Sequence, residues 1–219
     1  MRYSSKTFVA AILTISMIFS PGLITAAEDV AIEVNGETVS SQQIEQRIDQ
    51  QLQQLKAQYS AELEEDPDME DTLEKHTKNE VVEQTVNQLI LQTNAEKEEI
   101  PVQEDEIDQR FEQISQQFPD EEAFEQALDE AGKNEEEIRN DLESEIQVRK
   151  FIKQNIETEE VSEEEIKDYY EENQNLFGDL SLEDVKDQIV ATIQQNNQDR
   201  EIQALVQELK EDSDVNVNI

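Results

Sequence analysis

Apolar residues recur along this chain at spacings of three and four, and alternate one by one only near residues 30–39 and 215–219. Ile44, Ile48, Leu52, Leu55, Tyr59 and Leu63 mark one face of a first helix. Asp66-Pro67-Asp68 interrupts it. A second helix is expected from about Met69 to Lys97, with Val82, Val86, Leu89, Ile90 and Thr93 on its apolar side. Pro101 separates it from a third, carrying Ile107, Phe111, Ile114 and Phe118, and Pro119 ends that one. A short fourth helix holds Phe124, Ala127 and Leu128 and stops at Gly132. A fifth starts at Asn134 and carries Ile138, Leu142, Ile146, Ile152 and Ile156. A sixth holds Ile166, Tyr169, Tyr170 and Phe177. The last begins at Ser181, with Leu182, Val185, Ile189 and Ile193, then Leu205, Val206 and Leu209.

The alternating stretches predict a small sheet. Val30-Ala31-Ile32-Glu33-Val34, then Asn35-Gly36, then Glu37-Thr38-Val39 reads as a hairpin, because both turn positions need positive φ. Such a hairpin is marginal alone. Val215 to Ile219 alternates too and is expected to supply a third strand. The expected fold is mainly α: a multi-helix cradle with a small sheet made of an N-terminal hairpin, about Val30–Val39, and a C-terminal strand, Val215–Ile219.

Helix starts share one device. Val39-Ser40-x-x-Gln43-Ile44 sets a capping Ser, a Gln three residues on, and an apolar pair that staples the entry of the chain; Val161-Ser162-x-x-Glu165-Ile166 repeats it. Leu180-Ser181-x-x-Asp184-Val185 and Val102-Gln103-x-x-Glu106-Ile107 are weaker versions. Each staple sets an entry angle, so helices meeting at defined angles are expected. No heptad persists across several helices, which disfavours a long coiled coil.

Residues 1–27 read as an address. Arg2 and Lys6 precede the apolar run Phe8 to Phe19, Pro21-Gly22 breaks it, and Thr25-Ala26-Ala27 offers small residues for cleavage. The run is shorter than the roughly 20 residues a spanning helix needs. Residues 1–27 are therefore expected to be a secretory signal peptide and 28–219 one helical domain. No stable membrane insertion is expected after cleavage, and the expected location is the periplasm or another extracytoplasmic envelope space.

Charge changes the picture of partners. There are 55 Asp and Glu against 17 Lys and Arg, a formal net charge of −38. So negative a surface repels phosphates, and nucleic acid is not an expected partner. The hydrophobic share is 35%, yet the regular placement of those residues argues against a disordered acidic chain. Carboxylates spread over the whole length fit a salt-rich exterior, where the Debye length falls to about 3 Å at 1 M salt.

Candidate chemistry is sparse. The chain has no Cys and one His, which excludes disulfides, thiolate chemistry and multi-histidine metal centres. His76 reads as a surface residue. Asp66-Pro67-Asp68-Met69-Glu70-Asp71 lacks the sixth-position Gly and terminal Glu of a calcium loop. Among so many acids, carboxylate pairs carry no information. Arg149-Lys150-x-x-Lys153 is the one local basic cluster, read as pairing with acidic helices. No phosphate loop or nucleophile elbow is present. No enzyme activity and no metal or other cofactor is expected.

The order of these pieces resembles the SurA N-terminal domain of exported chaperones. The resemblance runs through Val34-Asn35-Gly36-Glu37-x-Val39-Ser40 and Leu89-Ile90-Leu91-x-x-x-Ala95, then Ile100-x-Val102-x-x-x-x-Ile107 and Phe124-x-x-x-Leu128-x-x-x-Gly132. It continues in Val161-Ser162-x-x-Glu165-Ile166-x-x-Tyr169-Tyr170-x-x-Asn173, the Ser181-Leu182-x-x-Val185-Lys186 helix and the Val215–Ile219 strand, over nearly the whole of 28–219. The exported foldase PrsA and the chaperone module of trigger factor are similar in plan. Relatives of this kind usually carry a parvulin prolyl-isomerase domain between the Tyr-Tyr helix and the closing helix. Here only Leu176-Phe177-Gly178-Asp179-Leu180 links Asn175 to Ser181.

The resemblance implies an extracytoplasmic, ATP-independent holdase that binds unfolded or nascent exported polypeptides through an apolar groove, without isomerase activity. Candidate client contacts are Phe111, Phe118, Phe124, Tyr169, Tyr170 and Phe177, each with core packing as the competing role. Tyr169 and Tyr170 point about 100° apart on a helix, so at most one is expected in the core. The alternative is a structural or adhesion-type helical protein of the cell envelope with no client. A homodimer made by exchanging the terminal strand is a further expectation.

Overall fold

The computed structural model describes residues 30–219 apart from 67, 158 and 159. The stretch read as a signal peptide, 1–27, lies outside the described residues. The hairpin forms where the alternation predicts it. Strand β1, Val30–Val34, turns at Asn35 and Gly36, whose φ values are 53° and 96°, into β2, Glu37–Ser40. Strand β3, Val215–Val217, lies antiparallel to the other edge of β1, giving the order β2-β1-β3. Ile32 stands between Val39 and Val217, and Val34 between Glu37 and Val215. Ala31 and Ile32 are adjacent yet both buried. A register irregularity between Val30 and Ile32 breaks the two-residue alternation there, as a bulge does.

The chain divides into two compact units. One is the chain up to Phe151 together with Asp212–Ile219; the other is Ile152–Glu211. The stretch read from sequence as one domain, 28–219, thus contributes to both. In the first unit, helix α1, Ser41–Gln58, packs on the hairpin and on α3, Asp68–Lys97. Between them α2, Ser60–Glu65, interrupts what the periodicity predicts as one helix through Leu63. The break sits at Tyr59, whose φ and ψ of −101° and 24° leave the helical region. The buried side of α3 includes Thr77, Val81, Thr85, Val86, Leu89 and Ile90. Thr77 and Thr85 can lie inside because their hydroxyls donate to the carbonyls of Leu73 and Val81 at 2.8 and 2.7 Å.

Helices α4, Glu104–Ser115, α5, Glu121–Ala131, and α6, Glu135–Asn155, follow, and α6 crosses into the second unit in its last turn. Their core holds Ile107, Ile114, Phe118, Phe124, Leu128 and Leu142, among others. In the second unit, α7, Glu163–Glu172, packs on α9, Leu182–Glu211, around Ile166, Phe177, Val185, Ile189 and Ile193. The periodicity predicts a single helix from Ile166 to Phe177. Asn173 ends it instead, its side-chain amide donating to the Tyr169 carbonyl at 2.8 Å, and α8, Gln174–Phe177, is one separate turn.

Capping follows the sequence closely. The Ser40–Gln43 and Ser162–Glu165 boxes are reciprocal. At the weaker sites the Gln103 N–H donates to Glu106 at 2.9 Å and the Ser181 N–H to Asp184 at 3.0 Å. Asn134 and Glu137 make a further reciprocal box at the start of α6, with bonds of 2.8 and 3.0 Å.

Candidate functional site

Two short, capped links set the geometry of α4, α5 and α6. α4 ends at Ser115 rather than at Pro119, so Phe118, expected on the helix, lies in the link, and the Asp120 carboxylate accepts from the Ala123 N–H at 2.9 Å to start α5. At the far end of α5, Gly132 takes a left-handed conformation with φ of 67°. The Gly132 N–H reaches the Asp129 carbonyl and the Lys133 N–H reaches Leu128, a Schellman stop. That stop turns the Lys133 side chain onto the Asp141 carboxylate of α6, which is wholly buried.

Within this frame Phe111, Phe118 and Phe124 come together. Phe111 meets Phe124 edge to face with centroids 5.4 Å apart, and Phe118 lies 5.2 Å from Phe124. Together with Leu128 they floor an open groove of about 660 Å³. Phe118 and Phe124 are core residues that contribute little exposed area; Phe111 is half-buried. The Arg139 guanidinium lies 5.4 Å from the Phe111 ring centre, where the electron-rich ring face attracts it. The hydrogen bonds it donates to the Asp108 carboxylate, then to Glu104, strengthen its hold on its proton.

The second unit gathers the other three candidate rings. Phe177 is buried, with Tyr170 stacked on it at 5.6 Å and Tyr169 at 6.5 Å. Both tyrosines are half-buried, and the Tyr170 hydroxyl donates to the Leu180 carbonyl at 2.8 Å. Burial therefore assigns Phe118, Phe124 and Phe177 to packing, because each ring fills the space between two helices of its own unit. Phe111, Tyr169 and Tyr170 keep part of their surface outside.

The most exposed large apolar side chains are ones the periodicity does not single out. Leu176 is 66% exposed and Leu180 53%. They flank a tight turn in which the Leu180 N–H bonds to the Phe177 carbonyl at 3.1 Å. Gly178 holds φ and ψ of 57° and −120° there, a first-position conformation of a type II′ turn that glycine adopts without steric cost. Both leucines flank the Gly178-Asp179 pair, a turn signal in the sequence.

Acid–base properties follow the caps. Hydrogen bonds from the Ser162 backbone, then its hydroxyl, hold the Glu165 carboxyl below its ordinary range; the Ser181 hydroxyl, then its backbone, does so for Asp184. Lys150, then the Gln103 backbone, lowers Glu106. Glu37 is raised, first by burial and then by the neighbouring Glu96 carboxylate. His76 is exposed and lies 3.4 Å from Glu80. Within the basic cluster, Arg149 pairs with Glu145 and Lys150 with Glu106, the intramolecular pairing expected of it. Among the described residues no group of three or more His, Cys, Asp or Glu is placed to hold a metal ion, and no helix is long and apolar enough to cross a membrane.

A family model described as SurA-like N-terminal domain matches residues 1–152. The matched stretch ends beside the boundary between the two units, whereas the resemblance read from sequence runs on to Ile219. No curated protein and no solved structure matches the chain.

Proposed function

The chain belongs to the SurA-like N-terminal domain family, a chaperone-type family, and from that membership we propose that it is an extracytoplasmic, ATP-independent holdase. It binds unfolded or nascent exported polypeptides and has no prolyl-isomerase activity. The observation that carries the reading is the open groove in the first unit, where half-buried Phe111 stands beside the buried rings of Phe118 and Phe124 and the rest of the lining is mostly polar. Burial of apolar client area there contributes about 25 cal/mol per Å², which gives weak and promiscuous binding over a modest patch. Leu176 and Leu180 supply a second apolar contact in the other unit. A net charge of −38 keeps the loaded complex soluble. In the plan that the resemblance implies, an isomerase domain would stand at the position of the tight Phe177–Leu180 turn, and so short a turn there supports binding without isomerisation.

The test is aggregation of a denatured outer-envelope protein on dilution, followed by light scattering, with the chain at a few-fold excess. Suppression in both dilute and molar salt is the expected result, together with background rates on a proline-peptide isomerisation substrate. The burial of Phe118, Phe124 and Phe177 favours a second reading, a structural envelope protein without clients. That reading gains if scattering is unchanged at every salt concentration.

A further inference from the structure

The sheet of the first unit is guarded on one edge and open on the other. At the β2 edge, Glu37 stands opposite Val34, on the apolar face, and a charge placed there discourages pairing with another chain. The β3 edge has no such guard. Val215-Asn216-Val217-Asn218-Ile219 carries no charge, in a chain where 33% of the residues are charged.

The hydrogen bonds show which backbone groups are free. The Asn35 N–H donates to the Asp214 carbonyl at 2.9 Å, and the Asn218 N–H to the Ala31 carbonyl at 2.7 Å, with Glu33 opposite Asn216 between them. Asp214, Asn216 and Asn218 therefore face β1, and antiparallel pairing turns the N–H and C=O of Val215 and Val217 to the far side. Among the described residues no strand lies there, and these groups meet no hydrogen-bond partner. The side chains of Val215 and Val217 share the face of Ile32 and Val34, which are wholly buried. Yet Val217 is 43% exposed, and Ile219, two positions on, 45%. The apolar face of the sheet runs one strand past its cover.

An unpaired edge with one apolar side fits an extended chain of alternating character, held by main-chain hydrogen bonds that read no sequence. A second copy of this chain is a poor occupant. Each copy carries a charge of −38, and so short a strand buries far less than the roughly 1,200 Å² of a stable dimer. A weak, transient contact with an unfolded client has no such requirement.

We infer that the outer edge of β3 takes up an extended, apolar-alternating segment of an unfolded polypeptide as a fourth strand, antiparallel like the other three. This rests on the holdase reading and names where and how a client is held. A labelled octapeptide alternating Thr and Val tests it by fluorescence anisotropy on the full chain. With its valines on the apolar face, the valine amides point at β3 and the threonine amides point away. N-methylation of the valines should weaken binding about tenfold or more, and N-methylation of the threonines should leave it within about threefold.

Variants of the chain give an independent reading. Val217→Pro removes an outward donor without touching a bond to β1, a placement an edge strand tolerates. It should weaken the unmethylated peptide about three- to tenfold, whereas Val217→Thr, which keeps the amide, should stay within about twofold. Binding that ignores which amides are methylated would overturn the inference, whatever Val217→Pro does to the fold. So would a dimer in dilute salt that Val217→Pro dissolves, because the edge would then belong to a second copy. If aggregation is still suppressed in either case, the holdase reading stands without this one. If no peptide binds and aggregation is unchanged, both fall.

Discussion

Replacing Lys133 by Met tests whether the groove's architecture depends on one buried ion pair. The Asp141 side chain is wholly buried and the Lys133 side chain is 20% exposed. Removing one partner of such a pair leaves a carboxylate inside with its main counter-charge gone, which costs about 3–5 kcal/mol. Lys133 is partly solvated, and Asp141 has a further interaction, so the lower end applies, about 3 kcal/mol. For a chain of this size that lowers the melting temperature by about 6–12 °C. The assay is thermal unfolding followed by far-ultraviolet circular dichroism on the full chain. The pair need not be stabilising in itself, since well-packed apolar replacements of buried pairs are often neutral. Lys133→Met combined with Asp141→Leu should therefore recover to within about 1 kcal/mol of the parent. A loss below about 1 kcal/mol in the single variant would refute the reasoning, and so would a double variant no better than the single.

Other outcomes follow from particular residues. Asn35 donates to Thr93 at 2.8 Å and to Ser213 at 3.3 Å, and accepts from the Asp214 N–H at 3.0 Å. Asn35→Gly keeps the turn but loses these bonds, and chemical denaturation should show a loss of about 1 kcal/mol. Glu99 has φ of 49° just beyond the last turn of α3, so Glu99→Gly should raise the melting temperature by an amount worth about 0.5–1 kcal/mol, checked by calorimetry. Glu37, raised above its ordinary 4.5, takes up a proton more readily folded than unfolded, so its ionised form detracts from stability above the raised value and the loss is relieved on acidification. Glu37→Gln should be more stable at neutral pH and less pH-dependent just above 4.5, read as melting temperature against pH. The caps at Glu165 and Asp184 act with opposite sign, since their stabilisation is present above 4.5 and 3.8 and lost as pH falls below. Finally, the melting temperature should rise from dilute to molar sodium chloride as repulsion among the carboxylates is screened; equal stability in both would remove the salt-adapted reading of the charge.

What could be read from the residues alone was what depends on near neighbours. The Asn35-Gly36 turn, the Ser40 and Ser162 boxes and the stop at Gly132 each involve groups within a few positions of one another, and all are found, whereas α4 ends at Ser115, before Phe118 and four residues short of the expected stop at Pro119. The helix breaks at Tyr59 and Asn173 were not legible, because the apolar spacing runs on through both. Contacts between distant residues lay further out of reach. Nothing near Asn35 says that its amide meets Ser213, and nothing near Lys133 says that the residue eight positions on is buried. The candidate rings show the same division. Their types and helical faces are visible in the chain, but whether Phe111 stays half open while Phe118 and Phe124 are covered depends on how α4, α5 and α6 close over them. Local hydrogen bonding and periodicity are short-range properties of a chain. Burial is set by whatever the rest of the chain brings alongside, so only the tertiary structure could decide which apolar groups line an open groove.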